Sequence, residues 1–234
     1  MQSKRFPIIV SVFYSVVIAA FIAVTIIGDH AITVMTQTLE MSDRVTIIID
    51  AGHGGEDGGA TSCTGILESS MNLEIALRLN ELMQFLGYST KMVRTTDTAI
   101  HTQGNTIAAR KVSDLKARVQ LVNSTKKGLL ISIHQNYYSD ARYYGAQVFY
   151  AKSTGSKEIG LLLQKNIVST LNLGSRRREK AASGIYLMEH ILCPGVLIEC
   201  GFISNQEEEA LLRNAAYQLK ICCVIASTIS CYLS

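Results

Sequence analysis

The stretch IIIDAGHGGEDGGATSCTG, residues 47–65, runs a short apolar segment into an acid, a histidine and six glycines within nineteen positions. With Val45 and Thr46 in front of it, the β-branched run has the length and composition of a buried strand. The glycines that follow let the backbone bend sharply and keep side-chain bulk away from His53. Immediately downstream, MNLEIALRLNELMQFLG (residues 71–87) sets Ile75, Leu79, Leu82 and Leu86 at helical spacing and stops at Gly87. Strand, glycine loop and amphipathic helix set the rhythm for the rest of the chain.

Further along, STKMVR (89–94) reads as a second strand, DLKARVQLVN (114–123) as a helix, GLLISIH (128–134) as a third strand and AQVFYA (146–151) as a fourth. KEIGLLLQKNIVSTL (157–171) reads as a helix and GVLIE (195–199) as another strand before a helical carboxyl end. This alternation predicts one α/β domain, a sheet sandwiched by helices in three layers. It also sorts the polar residues. His53 lies just past the first strand, His134 ends the third and Glu199 ends GVLIE, all at the sheet edge where open α/β proteins bind ligands. Asn136, two residues beyond His134, falls on the same side of an extended chain and is a candidate substrate contact. Asn205 reads as a helix cap for QEEEALLRN.

The 234 residues are 48% hydrophobic and 18% charged, a globular composition, yet the mean hydropathy of +0.22 is high for a soluble domain. FPIIVSVFYSVVIAAFIAVTIIG, residues 6–28, accounts for much of it. It carries no charge and, at about 1.5 Å per residue, is long enough to cross a bilayer as a helix. Lys4 and Arg5 precede it and Asp29 follows it, so the positive-inside tendency sends the rest of the chain out of the cytoplasm. Residues 1–29 are therefore expected to be a signal or membrane-anchor segment, 30–43 a spacer and 44–234 an extracytoplasmic body. AAFIAV is a poor cleavage site, which favours an uncleaved anchor. The net charge of +3 is too small to argue for nucleic acid. None of the six cysteines forms a C-x-x-C pair, so no zinc cluster is read from them, and adjacent Cys222 and Cys223 read as small buried hydrophobes.

Two histidines and a carboxylate on separate rigid supports, with one coordination position open, are what a catalytic zinc requires. His53 and His134 supply the imidazoles; spacing leaves Asp50, Asp57, Glu68 and Glu199 as candidates for the carboxylate. Glu68 opens the first helix, where it can swing back to His53 and leave Glu199 free as a base. Taken singly, His53 reads as a turn residue and His134 as a hydrogen-bonded, half-buried side chain. Their conjunction is what points to a site.

The segments IIIDAGHGGEDGGA, GILESSMNLEIALRL, ISIHQN, YGAQVFY and PGVLIECGFISNQEE, in this order from residue 47 to 208, resemble the signatures of the zinc-dependent N-acetylmuramoyl-L-alanine amidases of the third type. ARKVSDLKARVQLVN and YGAQVFY are similar to the branch that acts on the spore cortex at germination. The resemblance implies a twisted, mixed, largely parallel sheet and zinc held by His53, Glu68 and His134, with Glu199 as catalytic acid/base. It further implies cleavage of the bond between muramic acid and L-alanine, stripping stem peptides from cortex peptidoglycan ahead of muramic δ-lactam formation, in the space between the forespore membranes. Tyr137, where a small residue is common, and SRRREK (175–180), where relatives carry arginine-glycine-x-lysine, depart from the pattern. Arg177 and Lys180 are candidate contacts for stem-peptide carboxylates, against the simpler reading of a solvated loop. Arg118 resembles a family arginine but also suits a pair with a nearby acid. No wall-binding repeat is recognisable, so the anchor or a protein partner is expected to localise the enzyme. A zinc carboxypeptidase or aminopeptidase, and a wall-binding module without activity, are the competing readings.

Overall fold

β1 (Thr46–Ala51) is an apolar run buried on both sides, as a central strand of a largely parallel sheet must be. The computed structural model that contains it describes residues 45–101 and 103–234; the expected apolar segment, 1–29, and spacer, 30–43, lie outside the described residues. After β1 come α1 (Glu68–Phe85), β2 (Ser89–Met92), α2 (Ile107–Asn123), β3 (Gly128–Asn136) and β4 (Gln147–Tyr150). α3 (Ser156–Thr170), β5 (Lys180–Ala181), α4 (Tyr186–His190), β6 (Gly195–Phe202), α5 (Gln206–Leu212) and α6 (Ala215–Leu233) complete the chain.

The strands form one six-stranded sheet in the order β2-β1-β3-β6-β4-β5. All neighbours run parallel except β4, which is antiparallel to β6, so the expected mixed, largely parallel sheet is what the protein has. One face carries Ile47, Ile49, Ile131, Ile133, Val148, Val196 and Ile198 against α1, α3, α5 and α6. The other carries Ile48, Leu130 and Leu197 against α2 and α4. α6 is long and apolar enough to cross a membrane by length and composition, but Ile221, Cys222, Ile225 and Ile229 bury one side of it in the first of these layers.

Two helices differ from the sequence expectation. α2 starts at Ile107, seven residues before DLKARVQLVN, because Thr106 caps it by accepting the Ala109 N–H at 3.1 Å. Its first turns expose Ile107 and Val112, so no apolar stripe announces them. In α1, Ile75 and Leu79 are fully buried, but Leu86 caps the helix and is 47% exposed; Met71 and Met83 complete the buried stripe in its place. β5 and α4 are too short to leave a periodic signal.

Candidate active site

β1 delivers its last residues to the carboxyl edge of the sheet, and two buried arginines seize the chain there. Arg94, just past β2, donates to the carbonyls of Ala51 (2.8 Å), Gly52 (3.0 Å) and Ser69 (2.8 Å). Arg118, on α2, donates to Ala51 O (3.0 Å) and His53 O (2.7 Å) while pairing with Asp50 and Asp114. Held this way, His53 adopts a left-handed backbone, φ +60°, uncommon for a residue with a side chain. Gly52 is needed for a different reason: a Cβ there would lie 2.2 Å from the His134 ring. Gly59, at φ +69°, would likewise drive a Cβ to 2.5 Å from Glu68 Oε2.

Three of the predicted side chains converge in this cradle. Glu68, the first residue of α1, sets Oε1 3.0 Å from His134 Nδ1 and Oε2 3.3 Å from His53 Nε2. One donor atom from each of His53, Glu68 and His134 lies within 4.8 Å of the other two. The imidazoles retain about a fifth of their exposure, at 20% and 18%, whereas Glu68 has 5%. Its carboxylate also accepts from Ala60 N (3.0 Å), Gln135 N (3.2 Å) and Asn72 Nδ2 (3.2 Å). Burial pushes the Glu68 carboxyl up, but His134 and His53 outweigh burial and hold it far below the usual carboxylate range. Burial alone would depress the His53 imidazole; Glu68 and Asp57 reverse that and raise it. Two imidazole nitrogens and an ionised carboxylate oxygen around one point, open to solvent on one side, form a donor set that suits a zinc ion.

The other acids are accounted for. Asp50 is buried on Arg118 and takes the Ser132 hydroxyl at 2.7 Å, so it supports the fold below the site. Asp57 accepts from His53 Nδ1 at 2.9 Å, which orients the ring and leaves Nε2 turned toward Glu68. Glu199 stands beside His134 in the β3–β6 ladder, on the same sheet face, and its Oε2 is buried without a hydrogen-bond partner among the described residues. Burial pushes its carboxyl up to about 7, with His134 pulling against that and Glu68 adding to it. The ladder slips directly beyond: Asn136 pairs with Phe202, so two residues of β3 face three of β6, a bulge of the kind found next to active sites.

None of the predicted substrate contacts is among the three converging donors. Asn136 is half-buried at the end of β3, its carbonyl accepting Ile203 N–H at 2.9 Å. Arg177 and Lys180 line an open cleft of about 660 Å³ with Tyr144, Gln147 and Arg178. Gln147 is the register partner of Glu199 across β4 and β6, which brings the cleft to the neighbouring strand. Arg94, Asn72 and Gln135 are parts of the site that the sequence reading did not single out. Arg94 alone left a trace, as an arginine ending an apolar strand at the sheet edge.

Known proteins of the same kind bear on this geometry. Residues 47–231 match the family model for N-acetylmuramoyl-L-alanine amidase. The germination-specific N-acetylmuramoyl-L-alanine amidase of Bacillus subtilis is 37% identical over 186 residues, 79% of this chain and 77% of the relative. Among solved structures, the CwlD amidase of Clostridioides difficile, determined in complex with the GerS lipoprotein, is 36% identical with a TM-score of 0.77, over 81% of this chain and 98% of that one. An N-acetylmuramoyl-L-alanine amidase of Clostridium difficile 630 is 32% identical with a TM-score of 0.70, over 82% of this chain and 97% of that one.

Proposed function

The chain belongs to the N-acetylmuramoyl-L-alanine amidase family and is a peptidoglycan amidase; on that premise we propose that His53, Glu68 and His134 hold a zinc ion and that Glu199 is the acid/base. The observation that carries this reading is the meeting of three donor atoms within 4.8 Å beside a carboxylate oxygen with no partner. Bound there, zinc supplies Lewis acidity, polarising an amide carbonyl and acidifying a water.

The chain's own residues do the rest. Asp57 fixes the ring orientation of His53, and Asn72, Ala60 and Gln135 fix both oxygens of Glu68, so the donors are arranged before anything binds. Burial without a partner raises the Glu199 carboxyl, which suits a group that must both take up and give back a proton. Glu199 takes the proton of the attacking water and returns it to the departing nitrogen of L-alanine.

Likeness to the germination-specific amidase supports the spore cortex as the wall layer and removal of stem peptides ahead of δ-lactam formation as the role. The enzyme would then work in the space between the forespore membranes, held or exported by residues 1–29, spaced by 30–43 and catalysing through 44–234. The relative solved with a lipoprotein supports a protein partner of that kind as the localising element. Asn136, Arg177 and Lys180 are assigned to the substrate, the two cations to carboxylates of the stem peptide. The test is to incubate the chain with peptidoglycan and measure newly exposed amino termini of L-alanine, with and without chelator, alongside zinc content. Release that chelation abolishes and zinc restores is expected; an intact muramyl-alanine bond, or cleavage indifferent to metal, would refute the assignment.

A further inference from the structure

Between β3 and β4 the protein displays Tyr137, Tyr138, Tyr143 and Tyr144, each between 48% and 59% exposed. Four of the ten tyrosines of the chain thus fall within eight consecutive positions, and none of these four joins the core. Single exposed aromatics are ordinary, but a cluster of them on one loop is a candidate binding surface. The rings are organised. Tyr138 meets Tyr143 edge-on with centroids 4.6 Å apart, and Tyr143 leans on Phe202 at 6.2 Å. The Arg177 guanidinium covers the Phe202 ring at 4.9 Å and donates to the Tyr144 carbonyl at 3.0 Å.

The loop that bears them is tied down on both sides. Tyr138 N–H donates to Ser204 Oγ at 3.1 Å, and Asn205 Nδ2 donates to Ala141 O at 2.7 Å. Beside these ties Arg142 grips Asp140 through its Nε and Nη2, at 2.9 and 2.6 Å. The rings are therefore arranged in advance, and little ordering entropy opposes a ligand laid on them. The position is equally specific. Tyr137 follows His134 by three residues, Tyr144 precedes Gln147 by three, and Phe202 follows Glu199 by three, so the band runs alongside the strand ends that carry the candidate site. A shallow cleft of about 360 Å³ lies along it, lined by Asp140, Arg142, Tyr143, Tyr144 and Arg177.

We propose that this tyrosine band is a subsite for the glycan strand of peptidoglycan, seating sugar rings that flank the muramic acid whose amide is cut; the inference rests on the amidase reading above. Each pyranose ring of that strand offers a flat C–H face with hydroxyl and acetamido groups at its rim. Tyrosine answers both parts, with a rigid aromatic face and a phenolic hydroxyl that donates and accepts. Arg142 and Asp140 add charged hydrogen-bonding partners at the edge of the cleft. Continuity with the reaction site decides for glycan over a docked protein. The scissile amide hangs from a sugar, so the strand must leave the site across adjoining surface, and the band is an aromatic surface at that edge of the sheet. The cationic cleft of Arg177 and Lys180 then serves the peptide and the tyrosines serve the sugars, with Arg177 at the junction.

The experiment uses the full-length chain and peptide-free glycan strands of alternating N-acetylglucosamine and N-acetylmuramic acid, with binding read by calorimetry, which requires no amidase activity. Replacing Tyr138 and Tyr143 together by Ser should weaken strand binding about tenfold or more, as expected for losing two stacking rings, while Phe at both positions should keep most of it. On intact peptidoglycan the Ser pair should raise KM by a similar factor at unchanged kcat, and hydrolysis of a muramyl peptide bearing a single sugar should stay at the parent rate. Tyr144→Ser, whose ring makes no stacked contact among the described residues, gives the same readout should the pair melt early. Equal strand affinity and equal polymer KM in folded variants would overturn the proposal, as would normal strand binding joined to loss of a protein partner. A parent chain that binds strands but releases no L-alanine amino termini would instead refute the amidase assignment and leave the glycan subsite standing.

Discussion

The two faces of the sheet are built from the same strands and do different work. Ile47, Ile49 and Ala51 of β1, Leu129, Ile131 and Ile133 of β3, and Val196, Ile198 and Cys200 of β6 point one way, into the layer made by α1, α3, α5 and α6. The alternate residues point the other way. There each strand starts apolar, with Ile48, Leu130 and Leu197, and turns polar toward its carboxyl end, with Asp50, Ser132, His134 and Glu199. α1 buries Met71, Ile75, Ala76, Leu79 and Met83 against its side, whereas α2 buries Arg118 and Val122. The first face holds the fold by apolar burial at about 1.5–3 kcal/mol for each fully buried aliphatic side chain. The second combines a smaller apolar cluster around Ile48, Leu130 and Leu197 with the Asp50–Arg118–Asp114 ion pairs, and carries the candidate site above them. Period-two alternation separates stability from reactivity without separating them in sequence.

That contrast can be broken in a graded way. Glu199→Gln strikes only the reactive face and should cut turnover by about 10²–10⁴-fold while zinc content stays at the parent level. The same change should strengthen the metal-free fold at alkaline pH. The folded pKa of Glu199 is raised from 4.5 to about 7, so its contribution is complete below pH 4.5 and is lost as pH rises through about 7. At pH 8 the glutamine variant should therefore unfold later than its parent, by about 1–3 kcal/mol in denaturant titrations. Parent-like activity, or earlier unfolding, would count against an unpaired buried carboxylate.

Arg118→Met keeps the side-chain volume but strands Asp50 inside the protein, at a cost of about 3–5 kcal/mol, and it releases the carbonyl of His53. Zinc affinity should fall with stability in this variant. Adding Asp50→Asn should recover part of the stability, which a double-mutant cycle measures. The pair also predicts the acid limb of the parent. Burial pushes Asp50 up, yet Arg118 and Ser132 prevail and leave its pKa below 3.8. A folded value below the unfolded one means stability present above about pH 4 and lost as the pH falls through the folded value. The double variant should show a flatter acid limb in thermal melts.

Leu79→Ala attacks the apolar face and should cost about 2–5 kcal/mol by leaving a cavity between α1 and the sheet. Below its melting transition that variant should retain parent-like kcat, the opposite of Glu199→Gln; a matching loss of kcat would mean that the faces are coupled. The smallest effect is expected at the α6 cap. Asn214 accepts from Ala216 N–H at 2.9 Å and Tyr217 N–H at 3.2 Å, and Asn214→Ala should cost about 1 kcal/mol with kinetics unaltered.

Much of this was written in linear order. IIIDAGHGG, GLLISIH and GVLIE announce buried strands ending in ionisable residues, because apolar runs and the sheet's carboxyl edge follow from local periodicity and topology alone. α/β class and the candidacy of His53, His134 and Glu199 were legible on those grounds, and the amidase family through the resemblance of five successive motifs. Which carboxylate completes the donor set was not legible from spacing, since Asp50, Asp57, Glu68 and Glu199 all fall at plausible distances along the chain. Tertiary contacts separated them: Arg118 occupies Asp50, His53 Nδ1 occupies Asp57, and the start of α1 swings Glu68 between both imidazoles while Glu199 keeps an oxygen free. The arginine clamp on residues 51–53 and the tyrosine band beside Phe202 were equally hidden. A hydrogen bond to a distant carbonyl, or a ring resting on another strand, leaves no period in the sequence, because it depends on where separate segments meet in space.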